Sequence, residues 1–174
     1  MPVYDIKYTE VLTRGYHGTD AESARRILYG GFKASRNESL RLGDGVYFYE
    51  LSYLNAFEWA KRSNKQEDIT VLMSHIKLGK CLNLTDAAHR SMIKEVANKI
   101  KDSVHKSNSD KITDAVVINY MCKLSGVDTV KAAFTSPRAS KLFQGSKLVE
   151  YQQIIICVRN LRNILSTSKT TPEA

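Results

Sequence analysis

Residues 16–19 read YHGT and residues 43–48 read GDGVYF, and these two stretches decide how the rest of the chain is interpreted. The first stretch ends a short apolar segment, and Thr19 or Asp20 can then cap a helix. Gly30 and Gly31 would end that helix, because glycine tolerates the backbone angles found just beyond a helix terminus. The second stretch is a glycine-flanked turn that runs into a short aromatic strand. The sequence therefore predicts strand, helix, turn and strand in its first third.

The whole chain has 174 residues, of which 43% are hydrophobic and 25% charged. This length and composition are typical of one globular domain and exclude a disordered or collagen-like chain. We expect a single domain over residues 1–165 and a disordered polar tail over residues 166–174. Short strands are interspersed with a few helices, which predicts the α+β class.

The formal net charge of +8 permits an anionic partner without proving one. Cys81, Cys122 and Cys157 stand far apart, without the spacing of a zinc site, so we interpret them as reduced core residues and expect no metal. No secretory signal and no membrane-length apolar window is visible, so we expect a cytoplasmic protein without membrane contact. The sequence does not fix the oligomeric state, and a monomer is our working expectation.

The sequence signals for the secondary-structure elements after residue 68 are weaker. Residues 69–78 predict a strand that Gly79 and Lys80 would end, and residues 115–124 are ambiguous between helix and strand, with helix favoured. Residues 154–158 are β-branched and form the clearest strand of the chain. A third notable stretch, GSKLVEY at residues 145–151, leads into that strand.

Taken singly, these stretches have ordinary structural explanations, since a lone histidine, a Gly-Asp-Gly turn or an aromatic strand is common in any core. Their joint order and spacing resemble the ADP-ribosyltransferase superfamily, in the branch related to poly(ADP-ribose) polymerases and diphtheria toxin with a His-Tyr-Glu triad. The family pattern of His-Gly-(Ser/Thr), then (Ile-Leu)-x-x-Gly-(Leu/Phe), then Gly-x-Gly-(Ile/Val)-Tyr-Phe corresponds here to residues 17–19, 27–32 and 43–48. The resemblance covers residues 14–62 and returns at residues 145–165.

The resemblance implies a fold of two small, mostly antiparallel sheets that form a central cleft for NAD, the substrate, flanked by helices. It assigns His17 to a ribose hydroxyl, Gly18 to the nicotinamide carboxamide and Tyr47 to a face of the nicotinamide ring. The remaining cofactor-binding positions that it implies are Thr19, Gly45, Ala56 and Trp59. Trp59 has an equally good explanation as a core anchor on a helix.

The sequence does not decide which residue fills the third position of the triad. Glu150 is followed by an aromatic residue, as in the family, but Gln152 and Gln153 then separate it from the apolar strand. A carboxylate there would stabilise the positive charge that develops on the ribose as nicotinamide leaves. A register that placed Gln152 or Gln153 at this position would weaken that stabilisation.

The expected function is transfer of single ADP-ribose groups from NAD to a macromolecular acceptor, either protein or nucleic acid. A catalytically inactive module that binds NAD or ADP-ribose is the main alternative. An RNA 2′-phosphotransferase and a non-enzymatic nucleic-acid-binding domain rank lower. Basic residues such as Lys33, Arg36 and Arg41 precede Tyr47 and could bind the pyrophosphate or an acidic acceptor, or simply be a solvated surface.

Overall fold

The computed structural model describes residues 4–36, 40–63, 68–103, 112–135, 140–149 and 152–171. Its strands are β1 (Tyr8–Asp20), β2 (Val46–Glu50), β3 (Ile69–Asn83), β4 (Thr129–Thr135), β5 (Gln152–Val158) and β6 (Ile164–Thr170). Its helices are α1 (Ala21–Gly30), α2 (Tyr53–Ser63), α3 (Ala87–Ser103) and α4 (Asp114–Ser125), with a 3₁₀ turn at Leu161–Asn163. The predicted α+β class is confirmed, and residues 115–124 are helical as favoured.

All six strands belong to one hydrogen-bonded sheet with the order β1-β2-β5-β4-β3-β6. An additional antiparallel pairing between β1 and β3 joins the first five strands into a closed ring. Every pairing is antiparallel except that of β3 with β4. The two separate sheets that the resemblance implied are not confirmed, because β3 has 15 residues and is long enough to pair with β1, β4 and β6.

The helix boundaries follow local signals in the sequence. Asp20 is the N-cap of α1, and its carboxylate accepts a hydrogen bond of 2.7 Å from the Ser23 N–H. Gly31 ends the helix at φ +79, and its N–H donates to the Ile27 carbonyl at 2.8 Å. The cap at Asp20 therefore fixes where α1 begins after β1, and the contact at Gly31 fixes where α1 ends.

The described core forms three clusters. One lies among β2, β3 and β5 and contains Phe48, Ile76 and Ile156. A second joins α3 and α4 to β4 and β5, with Val96, Met121 and Val130 at its centre. The third packs α2 against β1 and β3 through Tyr16, Ala56 and Val71. None of the described helices is both long and apolar enough to cross a bilayer.

The expected disordered tail is wrong for most of its length. Residues 166–170 form the greater part of β6 and pair with residues 71–75 of β3. The pairing uses backbone groups, supplemented by a hydrogen bond of 2.9 Å between the hydroxyls of Ser74 and Thr167. This polar segment is ordered by its pairing with β3, and its own composition gives no signal of that pairing. Residues 172–174 lie outside the described residues.

Candidate active site

The cleft begins where β1 and β2 separate. The two strands pair only at Gly15 with Glu50 and at Tyr16 with Tyr49. Beyond Tyr16, β1 continues along β3, whereas β2 pairs with β5 on its other side. Where β1 and β2 separate, the β1 backbone lies close to the Ile76 side chain of β3. This approach requires Gly15, because a Cβ there would lie 2.5 Å from that side chain.

The resulting cleft has a volume of about 1140 Å³. Its walls come from α1, the loop after α1, the C-terminal end of α2, and the facing ends of β1, β2, β4 and β5. It brings together five of the residues that the sequence singled out: His17, Gly18, Tyr47, Trp59 and Gln153.

His17 lies at the base of the cleft between two aromatic rings. Its ring centroid is 5.2 Å from that of Phe32 and 5.8 Å from that of Phe48. Nδ1 lies 2.8 Å from the carbonyl oxygen of Tyr47, which can only accept, so Nδ1 carries the proton. Burial lowers the pKa of His17 below its usual 6.5, although the hydrogen bond to Tyr47 offsets part of this. At neutral pH, Nε2 is therefore an unprotonated acceptor.

Tyr47 is held by the turn that precedes its own strand. Its hydroxyl donates to the Gly43 carbonyl at 2.6 Å and accepts from the Leu42 N–H at 3.0 Å. Burial raises the pKa of this hydroxyl far above its usual value, with a further contribution from the adjacent Cys157 thiol, so it stays protonated. The ring is thereby fixed with one side lining the cleft.

Two polar side chains outside the cleft, Asn119 and Arg159, hold the same turn, and we call this pair the clamp. Asn119 Oδ1 accepts from the Asp44 N–H at 2.9 Å and from Arg159 Nη1 at 2.8 Å. Arg159 Nη1 also donates to the Asp44 carbonyl at 2.8 Å. Sequence reasoning missed this clamp, although Asn119 is the one polar residue among the apolar positions 115–119, which is a usable signal.

Gly18 makes the contact between β1 and α2. A Cβ at Gly18 would lie 2.0 Å from the Ala56 carbonyl oxygen, so only glycine allows this approach. Ala56 is 0% exposed and does not line the cleft, because it lies beneath Gly18 in the third core cluster. Trp59, one helical turn further on, does line the cleft and is 45% exposed.

The other expected site residues lie elsewhere. Thr19 is paired with Thr70 of β3 and does not line the cleft. Gly45, at φ +155, serves the approach of β2 to β5, since a Cβ there would lie 2.4 Å from the Cys157 Sγ. Gln152 is exposed outside the cleft, whereas Gln153 is 8% exposed and faces into it. Glu150 lies outside the described residues.

Comparison with known families agrees with this arrangement. The family model described as poly(ADP-ribose) polymerase catalytic domain matches residues 9–151. The chain belongs to this family. The matched range includes both decisive stretches and ends just after Glu150, so the resemblance drawn from residues 17–19, 27–32 and 43–48 is confirmed at the level of the superfamily.

One relative of this PARP-family domain is an uncharacterized protein of Methanocaldococcus jannaschii. It is 28% identical over 174 aligned positions, which cover 83% of this chain and 81% of the relative. The similarity therefore spans most of both proteins.

The cysteines of the PARP-family domain are all buried. Burial raises the pKa of the Cys157 thiol to about 12 and that of Cys122 to about 11, and it raises that of Cys81 as well. These thiols stay protonated at neutral pH and are poor nucleophiles. Within the described ranges, no three His, Cys, Asp or Glu side chains converge as a metal site would require.

Proposed function

We propose that this protein is a NAD-dependent mono-ADP-ribosyltransferase that releases nicotinamide and transfers ADP-ribose to a macromolecular acceptor. The observation that carries the proposal is that His17, Gly18 and Tyr47, from two separate stretches of sequence, line one cleft. Membership of the poly(ADP-ribose) polymerase catalytic domain family supports the same chemistry.

The geometry of the cleft supports the following substrate contacts. Nε2 of His17, unprotonated at neutral pH, accepts a hydrogen bond from a ribose hydroxyl of NAD. The flat faces of Tyr47 and Trp59 suit the nicotinamide ring, and each such contact is worth about 0.5–1.5 kcal/mol. Gly18 lines the same cleft, and we assign its main chain to the carboxamide.

In the reaction, the bond between the ribose C1′ and the pyridine nitrogen breaks, and both bonding electrons leave with neutral nicotinamide. An oxygen or nitrogen atom of the acceptor then bonds to C1′ and releases its proton to solvent. A carboxylate stabilises the positive charge that develops on the ribose. The described lining residues include no Asp or Glu, and we propose that Glu150, three positions before Gln153, supplies it.

The second candidate is an inactive module that binds NAD without turnover. The observation in its favour is Gln153, a neutral amide that lies in the cleft where the chain enters β5. An amide can hold a ribose hydroxyl but does not neutralise a developing positive charge.

The test is incubation of the protein with NAD labelled on its adenylate half and a cell lysate, followed by measurement of free nicotinamide and mass spectrometry of the products. We expect a labelled macromolecule among the products. Glu150→Gln should lower turnover by about 100-fold and leave the affinity for NAD unchanged. Gln153→Ala should mainly weaken NAD binding, and Gln152→Ala is the exposed control.

Each other outcome contradicts the proposal in its own way. Nicotinamide release without a labelled product would identify a glycohydrolase. NAD binding without release would establish the inactive module, and absence of NAD binding would remove both candidates.

The state of His17 predicts the pH dependence of binding. NAD affinity should be constant above pH 6.5 and decline as the pH falls through the lowered pKa of His17, because protonation removes the Nε2 acceptor. The same group contributes folding stability that is present above pH 6.5 and lost as the pH falls through the folded-state value. Isothermal titration and urea unfolding across acidic pH measure the two effects.

His17→Phe is the matched control, because it keeps a ring between Phe32 and Phe48 but has no acceptor. It should bind NAD weakly at every pH. Equal affinity of His17→Phe and the unaltered protein would assign His17 a purely structural role.

A further inference from the structure

The junction between β1 and β2 at the base of the cleft is short. Within the described chain two residue pairs join the strands, and the outer of these pairs Gly15 with Glu50. His17 follows Gly15 by two residues on β1, and Tyr47 precedes Glu50 by three residues on β2. A small displacement of either strand at the junction is therefore passed on to His17 or to Tyr47.

The Glu50 side chain connects three strands. Its Oε1 accepts a hydrogen bond of 3.0 Å from the Thr13 hydroxyl of β1. Its Oε2 forms an ion pair of 2.6 Å with the Lys131 ammonium of β4. Because β5 lies between β2 and β4 in the sheet, this ion pair spans β5 and fixes the separation of the two outer strands.

The ion pair is shielded from water. The side chains of Glu50 and Lys131 are 8% and 20% exposed. Taking both charges out of water offsets most of their attraction, so such a pair adds little net stability. It still requires both partners, since removal of one leaves an unpaired buried charge. A contact with strict geometry and a small net stability is suited to setting the position of strands.

The inner face of β2 leads from Glu50 to His17. Phe48 is two residues from Glu50 and so lies on the same face of the strand. The β1 backbone packs directly on it, since a Cβ at Gly15 would lie 2.7 Å from the Phe48 Cβ. The Phe48 ring centroid is in turn 5.8 Å from that of His17. If β1 were released from Glu50, it would shift on Phe48 and lengthen the 2.8 Å contact between His17 Nδ1 and the Tyr47 carbonyl.

We propose that Glu50 is a positioning residue for the candidate active site. Through Thr13 and Lys131 it holds β1 and β2 at the separation at which the histidine and the tyrosine of the cleft face the same ligand. Glu50 does not line the cleft, so it acts through His17 and not on the substrate. This inference rests on the proposed function only in taking NAD as that ligand.

Thr13 offers the mildest test, because it carries no charge. Thr13→Val removes the hydroxyl but keeps the shape and the β-branch, whereas Thr13→Ser keeps the hydroxyl. We expect Thr13→Val to bind NAD about tenfold more weakly and Thr13→Ser to bind it as the unaltered protein does. Isothermal titration measures the affinity, at a temperature at which every variant is fully folded.

The ion pair is tested by a double variant that leaves no buried charge unpaired. Glu50→Gln/Lys131→Met introduces neutral side chains of similar size, so its unfolding midpoint in urea should stay close to that of the unaltered protein. Its NAD affinity should nevertheless fall about tenfold, because a neutral contact does not hold the strands at a fixed separation. The matched control is Glu10→Gln/Lys77→Met, which removes a more exposed ion pair of 3.3 Å between β1 and β3 and should leave NAD affinity unchanged.

A measurement without NAD reports on His17 itself. The proton on Nδ1, held by the Tyr47 carbonyl, should give an imidazole N–H resonance in NMR spectra that is missing from His17→Phe. We expect this resonance to move in Thr13→Val and in Glu50→Gln/Lys131→Met. It should stay in place in Thr13→Ser and in the matched control.

Three results would overturn the inference. These are an unmoved His17 resonance in Thr13→Val, an equal loss of NAD affinity in the matched control, and full NAD affinity in a folded Glu50→Gln/Lys131→Met. If that double variant does not fold, the two Thr13 variants decide. Failure of the proposed function is distinguishable, because the unaltered protein would then not bind NAD, and the His17 resonance would still decide whether Glu50 positions the site.

Discussion

Gly18→Ala is expected to lower the free energy of unfolding by about 3 kcal/mol, the largest effect of any single methyl group added to the cleft. The added Cβ would lie 2.0 Å from the Ala56 carbonyl oxygen and 2.9 Å from the Ala60 Cβ. Both atoms belong to α2, and β1 cannot retreat because it is paired along β3. Urea unfolding measures the loss, and NAD affinity should fall with it, since α2 carries Trp59.

Gly30→Ala is the control, because a Cβ at this last residue of α1 has no heavy atom within 4 Å. Alanine is the better helix former, so Gly30→Ala should leave stability unchanged or raise it by up to about 1 kcal/mol. Equal unfolding midpoints for Gly18→Ala and the unaltered protein would show that β1 and α2 do not meet as described.

Arg159→Met should destabilise the protein by about 3 kcal/mol and weaken NAD binding, although Arg159 does not line the cleft. The substitution keeps an apolar stem but removes the guanidinium donor that Asp44 and Asn119 share. The turn that positions Tyr47 then loses one of its two polar supports. Thermal unfolding and NAD titration of the same samples measure the two effects.

Arg162→Met is the matched control, since Arg162 is exposed in the nearby 3₁₀ turn. It should behave as the unaltered protein does. If Arg159→Met lost stability but kept full NAD affinity, the clamp would support the fold without positioning Tyr47.

The parts of the fold that depend on neighbouring residues were predictable from the sequence. A helix cap at Thr19 or Asp20, a helix end at Gly30 and Gly31, and the aromatic strand β2 were foreseen, because their signals lie within a few positions of the structure they cause; the structure uses Asp20 and Gly31. The position of His17 and Tyr47 in one cleft was also predictable, because both belong to the two short motifs that carry the family resemblance.

Features that depend on distant residues were not predictable. Gly79 was expected to end a strand, but β3 continues through it at φ +61 to Asn83. The reason lies 48 positions away, where the Asp128 carboxylate accepts the Lys80 N–H at 2.9 Å. The clamp on the turn is similar, since Asn119 is 75 positions from Asp44. Ala56 was assigned to the cleft from the family resemblance and its offset from Tyr47, neither of which shows that the contact with Gly18 buries it.

The strand ring also affects how the protein is made. β2 gains its second neighbour only from β5, which follows it by about a hundred residues, so the ring cannot close until β5 has left the ribosome. Pairings between such distant segments form slowly. Chains whose β5 has not yet left the ribosome consequently lack an assembled cleft, because Gln153 and Ile155 of β5 form part of its wall.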